Sequence, residues 1–383
     1  MKILLYTNIL TPYRKYFYDL LNERCRSLGH QFGVLVMAET EGNRPWKYYD
    51  YATEYTSLLS FRTFSRGETY IHFNHKLCDK LITFEPDLVV VAGSYLCPGA
   101  WVIAKNKKKL NYKCLFWSES HLNERKNNGY IKNYSRELIR KNFYKLYDGF
   151  WYAGKMSKEF IMKYAQKDSF YCFVPNLIDE SIYKAAQFMS AEEKMRLKNQ
   201  YNLESNKKIL FCPARLSPVK GILEFLDILE KVSINENIVF LIAGEGELRD
   251  SIQKVALDKG LDVRLLGNKN QMEIVGLYAI SDVFVLPSLS DPNPLSCIEA
   301  LWAGLPLFIS EHCGNFPEVV ENGTNGFVFS YSNLDSASTM LTNVLSTYES
   351  MGQKSALKAI EQYNSKLVTE RIINDCLFLN GIE

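Results

Sequence analysis

Short hydrophobic runs alternate with amphipathic segments along the chain. In the first half, runs of β-branched and aromatic residues predict strands at residues 2–7, 32–38, 87–93, 113–118, 149–154 and 169–174. Segments between them, such as 13–28 and 130–146, have the apolar spacing of helices. The strand runs are almost continuously hydrophobic, which is typical of strands buried on both faces of a parallel sheet. The alternation of strand and helix predicts right-handed βαβ units.

The second half repeats this scheme, with strands predicted at residues 207–212, 237–243, 263–267, 283–287, 305–310 and 326–329. Pro175 and Asn176 interrupt the pattern and indicate a boundary. We therefore predict an α/β protein of two doubly wound, Rossmann-like domains, residues 1–175 and 176–361, that face each other across a cleft. A helix of about residues 362–383 is expected to pack back on the first domain. Parallel sheets bind ligands at the carboxyl ends of their strands, so the loops after strands are the places to look for chemistry.

Composition narrows the protein class. The 383 residues are 47% hydrophobic and 23% charged, which excludes a disordered or collagen-like chain. Nine cysteines without a CxxC pair predict buried free thiols and a reducing compartment. No run reaches the roughly 18 apolar residues of a membrane span, and the first residues are too short an apolar run for a signal peptide. We expect a cytoplasmic protein, or one that lies peripherally on the inner face of the cell membrane.

Two loops of the second half carry candidate chemistry. Arg215 and Lys220 follow a strand and precede a helix, an arrangement that suits an anion. Solvated surface cations are the alternative on spacing alone. Asp291 precedes a helix, and Glu299 lies one turn inside it within an apolar stretch. A capping residue and a surface residue are the alternatives, but a carboxylate among apolar neighbours requires a partner, which favours a functional role.

An ordered series of short motifs over some 150 residues resembles the nucleotide-sugar domain of the family-four retaining glycosyltransferases, which have the GT-B fold. The quoted segments are 175–179, Arg215 with 220–221, 243–246, 265–267, 277–283, 286–288, 299–306, 317–320, 322–323 and Gly326. The resemblance implies transfer of a sugar from a nucleotide-sugar donor to an acceptor hydroxyl with retention of configuration.

The resemblance also implies donor-binding roles in this sequence. Arg215 and Lys220 would hold the donor diphosphate and stabilise the leaving nucleotide. Glu299 would accept hydrogen bonds from the ribose. Gly267 and Asn268 lie where the family contacts the base through its backbone.

The sugar side of the motif departs from the family pattern. Asp291 occupies the first position of the family's Glu-x7-Glu motif, which faces the transferred sugar, and is one methylene shorter. Pro294 replaces a common glycine and has no N–H to donate. We expect the side chain of Asn293 to substitute for that donor, beside the backbone N–H groups of Leu295 and Ser296 at the helix start.

The first half offers a second set of candidates. Its first strand is followed by residues 8–14 without the family's usual glycines, and Tyr13 and Arg14 are candidate acceptor contacts. The commoner fate of such an arginine is a surface charge. After strand 113–118 come Glu119 and His121, and the latter resembles the family's strand-end histidine that contacts the donor sugar.

The sequence predicts a metal-independent enzyme whose co-substrate is the nucleotide sugar and which has no other cofactor. No Asp-x-Asp occurs, so the motif that arranges a metal ion and the diphosphate in the other large glycosyltransferase fold is absent from the sequence. His72 and His75 lie three apart in a stretch interpreted as helical, and no carboxylate or thiolate motif accompanies them.

A near-neutral total charge conceals two oppositely charged halves. Residues 1–175 carry 27 basic and 16 acidic side chains, a net charge of +11, whereas residues 176–383 have a net charge of −9. The first half contains a lysine cluster at 105–109 and a basic amphipathic segment with aromatics at 130–150. These features favour an anionic membrane surface or a diphosphate-lipid acceptor as partner. Solvated cations on a packed helix are the alternative for the segment, and no motif supports nucleic acid.

The expected function is transfer of a sugar from a UDP-sugar to a hydroxyl of a glycan or lipid-linked acceptor, in bacterial surface polysaccharide or glycoconjugate synthesis. Three alternatives remain: a nucleotide-sugar 2-epimerase of similar fold, a non-catalytic nucleotide-sugar-binding partner subunit, and a nucleic-acid binder.

Overall fold

A computed structural model describes residues 1–42, 46–66, 69–120, 130–233 and 236–382. The chain forms two compact units, the first within residues 1–177 and 365–382 and the second within 178–364. The sequence predicts the domain boundaries at 175/176 and 361/362, which is two to three residues before the boundaries of the two units in the structure. Both units are α/β, as the hydrophobic pattern predicts.

Unit 1 contains a seven-stranded parallel sheet with the order β3-β2-β1-β6-β7-β8-β9 and a two-stranded antiparallel hairpin, β4-β5. Its strands are β1 Lys2–Thr7, β2 Gln31–Val36, β3 Thr56–Leu58, β4 Arg62–Arg66, β5 Thr69–Phe73, β6 Leu88–Ala92, β7 Lys113–Ser118, β8 Gly149–Tyr152 and β9 Phe170–Phe173. Its helices are α1 Pro12–Ser27, α2 Tyr48–Tyr51, α3 Leu77–Phe84, α4 Pro98–Asn106, α5 Tyr130–Tyr144, α6 Lys155–Met162 and α15 Ser365–Leu379.

Unit 2 contains a six-stranded parallel sheet with the order β12-β11-β10-β13-β14-β15. Its strands are β10 Lys208–Pro213, β11 Ile238–Ala243, β12 Val263–Leu265, β13 Val283–Leu286, β14 Leu307–Ser310 and β15 Gly326–Phe329. Its α-helices are α7 Glu180–Phe188, α8 Ala191–Gln200, α9 Ile222–Ser233, α10 Arg249–Asp258, α11 Gln271–Ile280, α12 Leu295–Trp302, α13 Phe316–Val319 and α14 Leu334–Tyr363, and a 3-10 turn spans Pro218–Lys220.

The sheet of unit 1 is buried on both faces. In β6, Leu88 and Val90 belong to one apolar cluster, while Val89 and Val91 belong to another on the opposite face. Successive strand residues alternate between faces, so a strand covered on both sides must be apolar at every position. This explains why the strand runs are continuous rather than alternating.

The C-terminal helix belongs to unit 1. Ile372 and Cys376 of α15 lie in the same buried cluster as Cys25 of α1. All nine cysteines are unpaired, and Cys78 alone is exposed.

The interpretation of residues 72–75 as helical is wrong. His72 lies in β5 and faces inward, and its Nε2 is 2.7 Å from Oε1 of Glu41, a pair that is almost fully buried. The Nδ2 of Asn8 donates to both carboxylate oxygens of Glu41, at 3.1 and 3.0 Å. Strand alternation places His72 on the covered side of the hairpin, and this long-range contact has no signature in local spacing. His75 follows the strand and is exposed.

Among the helices in the described parts of the chain, none is long and apolar enough to cross a membrane.

Candidate functional site

The candidate site of unit 2 lies where the strand order reverses. β10 is the first strand of this sheet along the chain, and it pairs with β11 on one side and β13 on the other. The loops after β10 and β13 therefore leave neighbouring strands at the same carboxyl edge. In open parallel sheets this is the usual position of a ligand.

Backbone contacts join these two loops. Val219 accepts hydrogen bonds from the N–H groups of Leu289 and Ser290, at 2.8 and 3.2 Å. Gly221 ends the turn with a φ of +62°, and a Cβ there would lie 2.1 Å from the carbonyl oxygen of Pro287. Only glycine fits such a left-handed position at so close an approach. The glycine thus lets the turn pack against the end of β13.

The joined loops bring Lys220 and Asp291 into direct contact. The Nζ of Lys220 donates to Oδ2 of Asp291 at 2.5 Å, and the two side chains are only 17% and 15% exposed. The backbone of Asp291 is fixed by its N–H, which donates to His312, and by its carbonyl oxygen, which accepts from Gly314. The residues predicted for diphosphate and sugar therefore share one site.

Arg215 lies in the same loop as Lys220 and is exposed. Within the described residues, no hydrogen bond or ion pair engages its guanidinium. The loop of Gly244 and Gly246 packs against the backbone here, since a Cβ on Gly244 would lie 2.1 Å from the carbonyl oxygen of Ala214. Arg215 is thus available to a ligand anion, as a forked donor to two oxygens.

The start of α12 adds further donors. Pro294 is the N-cap, so Leu295 and Ser296 occupy the first turn, where backbone N–H groups have no partner within the helix. The Nδ2 of Asn293 is buried and has no hydrogen-bond partner in the described part of the chain. Asn315 fixes the cap by donating from Nδ2 to the carbonyl oxygen of Pro294 at 3.0 Å. An unsatisfied amide donor at this point suits an oxygen-rich ligand.

Glu299 is held by two tyrosines that the sequence interpretation missed. Tyr183 and Tyr278 donate to its Oε1 and Oε2, each at 2.9 Å. Burial raises the pKa of Glu299, while the two tyrosine hydrogen bonds act to lower it. A carboxylate has about four acceptor positions, so it can still receive hydroxyl groups of a ribose. Tertiary contacts from α7 and α11 supply both tyrosines, and only the position of Tyr278 within a quoted motif could have indicated one of them.

The predicted base-contacting residues follow β12. The carbonyl oxygen of Gly267 accepts a hydrogen bond from the N–H of Gly244 at 2.9 Å. The backbone φ of Gly267 is +73°. Asn268 is exposed.

Unit 1 has its own cation–carboxylate pair at the carboxyl edge of its sheet. Thr11 caps α1 by accepting from the N–H of Arg14. The guanidinium of Arg14 donates to Oε1 of Glu119 at 2.6 Å and lies 3.9 Å from the ring centroid of Trp117. Arg14 is only 15% exposed, so it is not the solvated surface charge that was the commoner expectation. Tyr13 is partly buried beside it.

His121 lies outside the described residues, and its predicted role stays a prediction. Among the residues that are described, no group of three or more His, Cys, Asp or Glu side chains could hold a metal ion.

Comparison with known proteins matches the second half of the chain to a family. Residues 193–362 match the model of the family described as glycosyl transferases group 1. An uncharacterized glycosyltransferase of Methanocaldococcus jannaschii is 29% identical over 42% of this chain and 41% of its own length. The UDP-Gal:alpha-D-GlcNAc-diphosphoundecaprenol alpha-1,3-galactosyltransferase of Escherichia coli is 33% identical over 45% and 44%. The matched region thus spans less than half the length of these relatives.

Solved structures match the whole chain in fold. Anabaena HepE, crystallised in complex with UDP, superposes with a TM-score of 0.76 at 15% identity, covering 98% of this chain and 99% of that one. The lipopolysaccharide outer core galactosyltransferase WaaB, in its apo form, has a TM-score of 0.73 at 15% identity, covering 99% of each chain. These likenesses confirm the predicted GT-B fold class.

Proposed function

Because residues 193–362 match the model of the glycosyl transferases group 1 family, we propose that this chain transfers a sugar from a nucleotide-sugar donor to an acceptor hydroxyl. One observation carries the proposal. Lys220, Asp291 and the start of α12 converge at the point of unit 2 where the strand order reverses, and the exposed Arg215 lies in the same loop as Lys220.

The donor diphosphate is the anion that this arrangement suits. Arg215 forks two phosphate oxygens, and Lys220 turns from Asp291 towards the diphosphate, since an ammonium on a flexible stem reorients easily. The backbone N–H groups at the start of α12 add the positive end of a helix dipole. Asp291, once released, faces hydroxyl groups of the transferred sugar, and Asn293 donates to a neighbouring oxygen. Glu299 holds the ribose.

Bond breaking places negative charge on the leaving nucleotide diphosphate. Arg215 and Lys220 stabilise this charge in the transition state, and they do so without a divalent metal in our proposal. The bond from the anomeric carbon to the phosphate oxygen breaks as the acceptor oxygen bonds to the same face of that carbon, so configuration is retained. The acceptor proton passes to the departing phosphate oxygen. The family resemblance supports this order of events.

A UDP-sugar is our proposed donor. The E. coli relative is named as a UDP-Gal enzyme, and HepE was crystallised with UDP. Another relative, from Corynebacterium glutamicum, is named as GDP-mannose-dependent, so the base must be tested directly.

The proposed acceptor is a glycan or a lipid-linked saccharide at the inner membrane surface, in bacterial surface polysaccharide synthesis. The name of the E. coli relative contains a diphosphate-linked lipid acceptor, and another relative acts in amylovoran biosynthesis in Erwinia amylovora. One face of α5 exposes Tyr134 and Leu138, 66% and 51% accessible, beside the exposed Lys141. Apolar and basic side chains on one helix face suit an anionic bilayer surface.

A thermal-shift screen of UDP-, GDP- and ADP-sugars, with and without a metal chelator, tests the donor. A ligand at 100 times its Kd stabilises a protein by about 2.7 kcal/mol, so a UDP-sugar is expected to raise Tm clearly and without metal. Transfer is then assayed on diphosphate-linked lipid saccharides. No shift with any nucleotide sugar would overturn the proposal. Donor interconversion without acceptor would identify a 2-epimerase, and binding without transfer would identify a non-catalytic subunit.

A further inference from the structure

We propose that unit 1 carries a second anion site, a lysine-lined cavity that binds phosphate groups and is separate from the donor site. The cavity has a volume of about 710 Å³. Its lining includes Lys113, the first residue of β7, and Asp148 and Ser169, which directly precede β8 and β9. The amino ends of parallel strands lie at one edge of a sheet, so the cavity occupies that edge.

This position separates the cavity from the carboxyl edge that bears Arg14 and Glu119. Lys113 begins β7, and Glu119 directly follows its last residue. At about 3.3 Å per residue the two lie roughly 20 Å apart along the strand. A ligand in the cavity therefore does not compete with one at the carboxyl edge of unit 1.

Five lysines from three segments line the cavity. Lys105, Lys107 and Lys108 come from the end of α4 and the turn after it, Lys113 from β7, and Lys145 from the turn that directly follows α5. The acidic residues in the lining are Asp148 and Asp168. The cavity therefore has an excess of three positive charges. The lysine cluster noted in the sequence is thus concentrated with others around one concave space, which local spacing could not show.

Most of this positive charge is not neutralised by carboxylates of the described residues. Lys107 donates to Oδ1 of Asp148 at 2.7 Å, which neutralises one lysine and one carboxylate. Within the described residues, Lys105, Lys108, Lys113 and Lys145 form no ion pair. Like charges held close together repel one another, and a multiply charged anion relieves that repulsion.

The backbone around the cavity is fixed rather than loose. The second carboxylate oxygen of Asp148 accepts from the N–H of Cys114 at 2.8 Å. The Nε2 of Gln166 donates to the carbonyl oxygen of Lys145 at 2.8 Å. These bonds join the start of β7 to the segment before β8, and that segment to the one before β9, so they hold in place the backbone from which the lysines extend.

Phosphate is the ligand chemistry that fits. The volume is that of a small-molecule pocket, too small for a nucleic-acid duplex. Several ammonium groups, each with three donors, suit a compact anion with several oxygens and more than one charge. Such a group is found in the headgroup of an anionic phospholipid and in a soluble polyphosphate.

Two charge-reversal pairs provide the test. Lys108→Glu with Lys145→Glu alters the cavity, whereas Lys109→Glu with Lys167→Glu makes the same charge change at exposed lysines that are adjacent in sequence to lining residues but lie outside the lining. All proteins also carry Lys220→Ala, so that phosphate bound at the donor site does not obscure the measurement. Circular dichroism melting establishes that each variant is folded.

Tripolyphosphate binding is measured by calorimetry at low salt. We expect the cavity pair to bind at least about tenfold more weakly, a loss of about 1.4 kcal/mol, and the control pair to stay within about twofold. Higher salt should weaken binding of the parent protein. Equal losses in the two pairs, or no binding by the parent, would overturn the proposal because the charge would then be diffuse.

Vesicle sedimentation distinguishes the two sources of phosphate. Vesicles of phosphatidylcholine mixed with phosphatidylglycerol are compared with pure phosphatidylcholine. If the cavity pair, but not the control pair, loses binding to the anionic vesicles, the ligand is a lipid headgroup. If tripolyphosphate binding depends on the cavity but vesicle binding does not, the ligand is a soluble phosphate.

Discussion

The two sheets of this protein use the same edge in different ways. In each unit a cation that follows the first strand, in the first turn of α1 or in the 3-10 turn after β10, pairs with a carboxylate from a later loop, Arg14 with Glu119 at 2.6 Å and Lys220 with Asp291 at 2.5 Å. The exposure of the two cations is similar, 15% and 17%. Their freedom differs, because Arg14 also lies 3.9 Å from the ring centroid of Trp117, whereas Lys220 has a flexible stem.

Under our proposal, this difference gives the two cations different functions. A lysine can leave its carboxylate to meet an incoming diphosphate and return afterwards. An arginine stacked on an indole stays in place, and it therefore orients the carboxylate that it holds. The cation of unit 2 would bind ligand directly, and the cation of unit 1 would position Glu119 for an acceptor hydroxyl.

The largest effect is expected from Lys220→Ala. Loss of one group that stabilises charge in a transition state typically costs about 100- to 1,000-fold in kcat, and we expect a loss of that size. Steady-state transfer kinetics with the donor identified by the screen measure it. Lys220→Arg should restore part of the activity, because it keeps the charge but not the compact ammonium.

Lys231→Ala is the matched control. Lys231 lies on the following helix and pairs with Asp335 at 2.6 Å, but that pair is exposed and should contribute little. Full activity in Lys220→Ala would remove the basis for assigning the donor site to this edge.

A smaller and different effect is expected from Arg14→Ala. If Arg14 only positions Glu119, the variant should raise the acceptor KM by about tenfold, the cost of one charge-assisted hydrogen bond, and leave the donor Kd unchanged. Arg14→Lys should recover little, because it cannot stack as a planar group on Trp117.

The control for this variant lies on the same helix. Arg24 pairs with Glu370 at 3.7 Å, and Arg24→Ala should leave both constants unchanged. An altered donor Kd in Arg14→Ala would mean that the cations of both units contribute to donor binding. The proposed difference in function between Arg14 and Lys220 would then be wrong.

The sequence predicted the parts of the fold that repeat locally. Strands buried on both faces are apolar throughout, so the sheet strands were found except β3, in which Leu58 is the single hydrophobic residue. The hairpin β4-β5 was missed, because its strands are half exposed and its buried pair, His72 with Glu41, joins residues 31 positions apart. Lys220 and Asp291 were found through an ordered motif series, although their contact spans 71 positions. The tyrosines on Glu299 and the indole beneath Arg14 were not found, because only the folded chain brings them together.

The smallest expected effect concerns Glu299, and it tests whether the donor edge depends on a carboxylate that unit 1 does not share. Burial raises the pKa of Glu299, so it becomes protonated at a higher pH than an exposed glutamate as the pH falls. A protonated carboxyl accepts fewer ribose hydrogen bonds, and nucleotide affinity should therefore fall a few-fold on mild acidification. By linkage, the same raised pKa contributes stability below the ordinary value of about 4.3 that is lost as the pH rises through the native value.

Two variants and a control resolve this dependence when the Kd of the nucleotide is measured by calorimetry across the acid range. Tyr183→Phe removes a hydrogen bond that lowers the pKa of Glu299, so the midpoint should move to higher pH. Glu299→Gln should flatten the profile at a weaker affinity, and Tyr348→Phe, which removes a hydroxyl bonded to the exposed Glu349, should leave it unchanged. A profile that persists in Glu299→Gln would show that another group titrates. The pH dependence of the nucleotide Kd would then come from the phosphate groups of the ligand rather than from Glu299, the carboxylate that distinguishes the donor edge from unit 1.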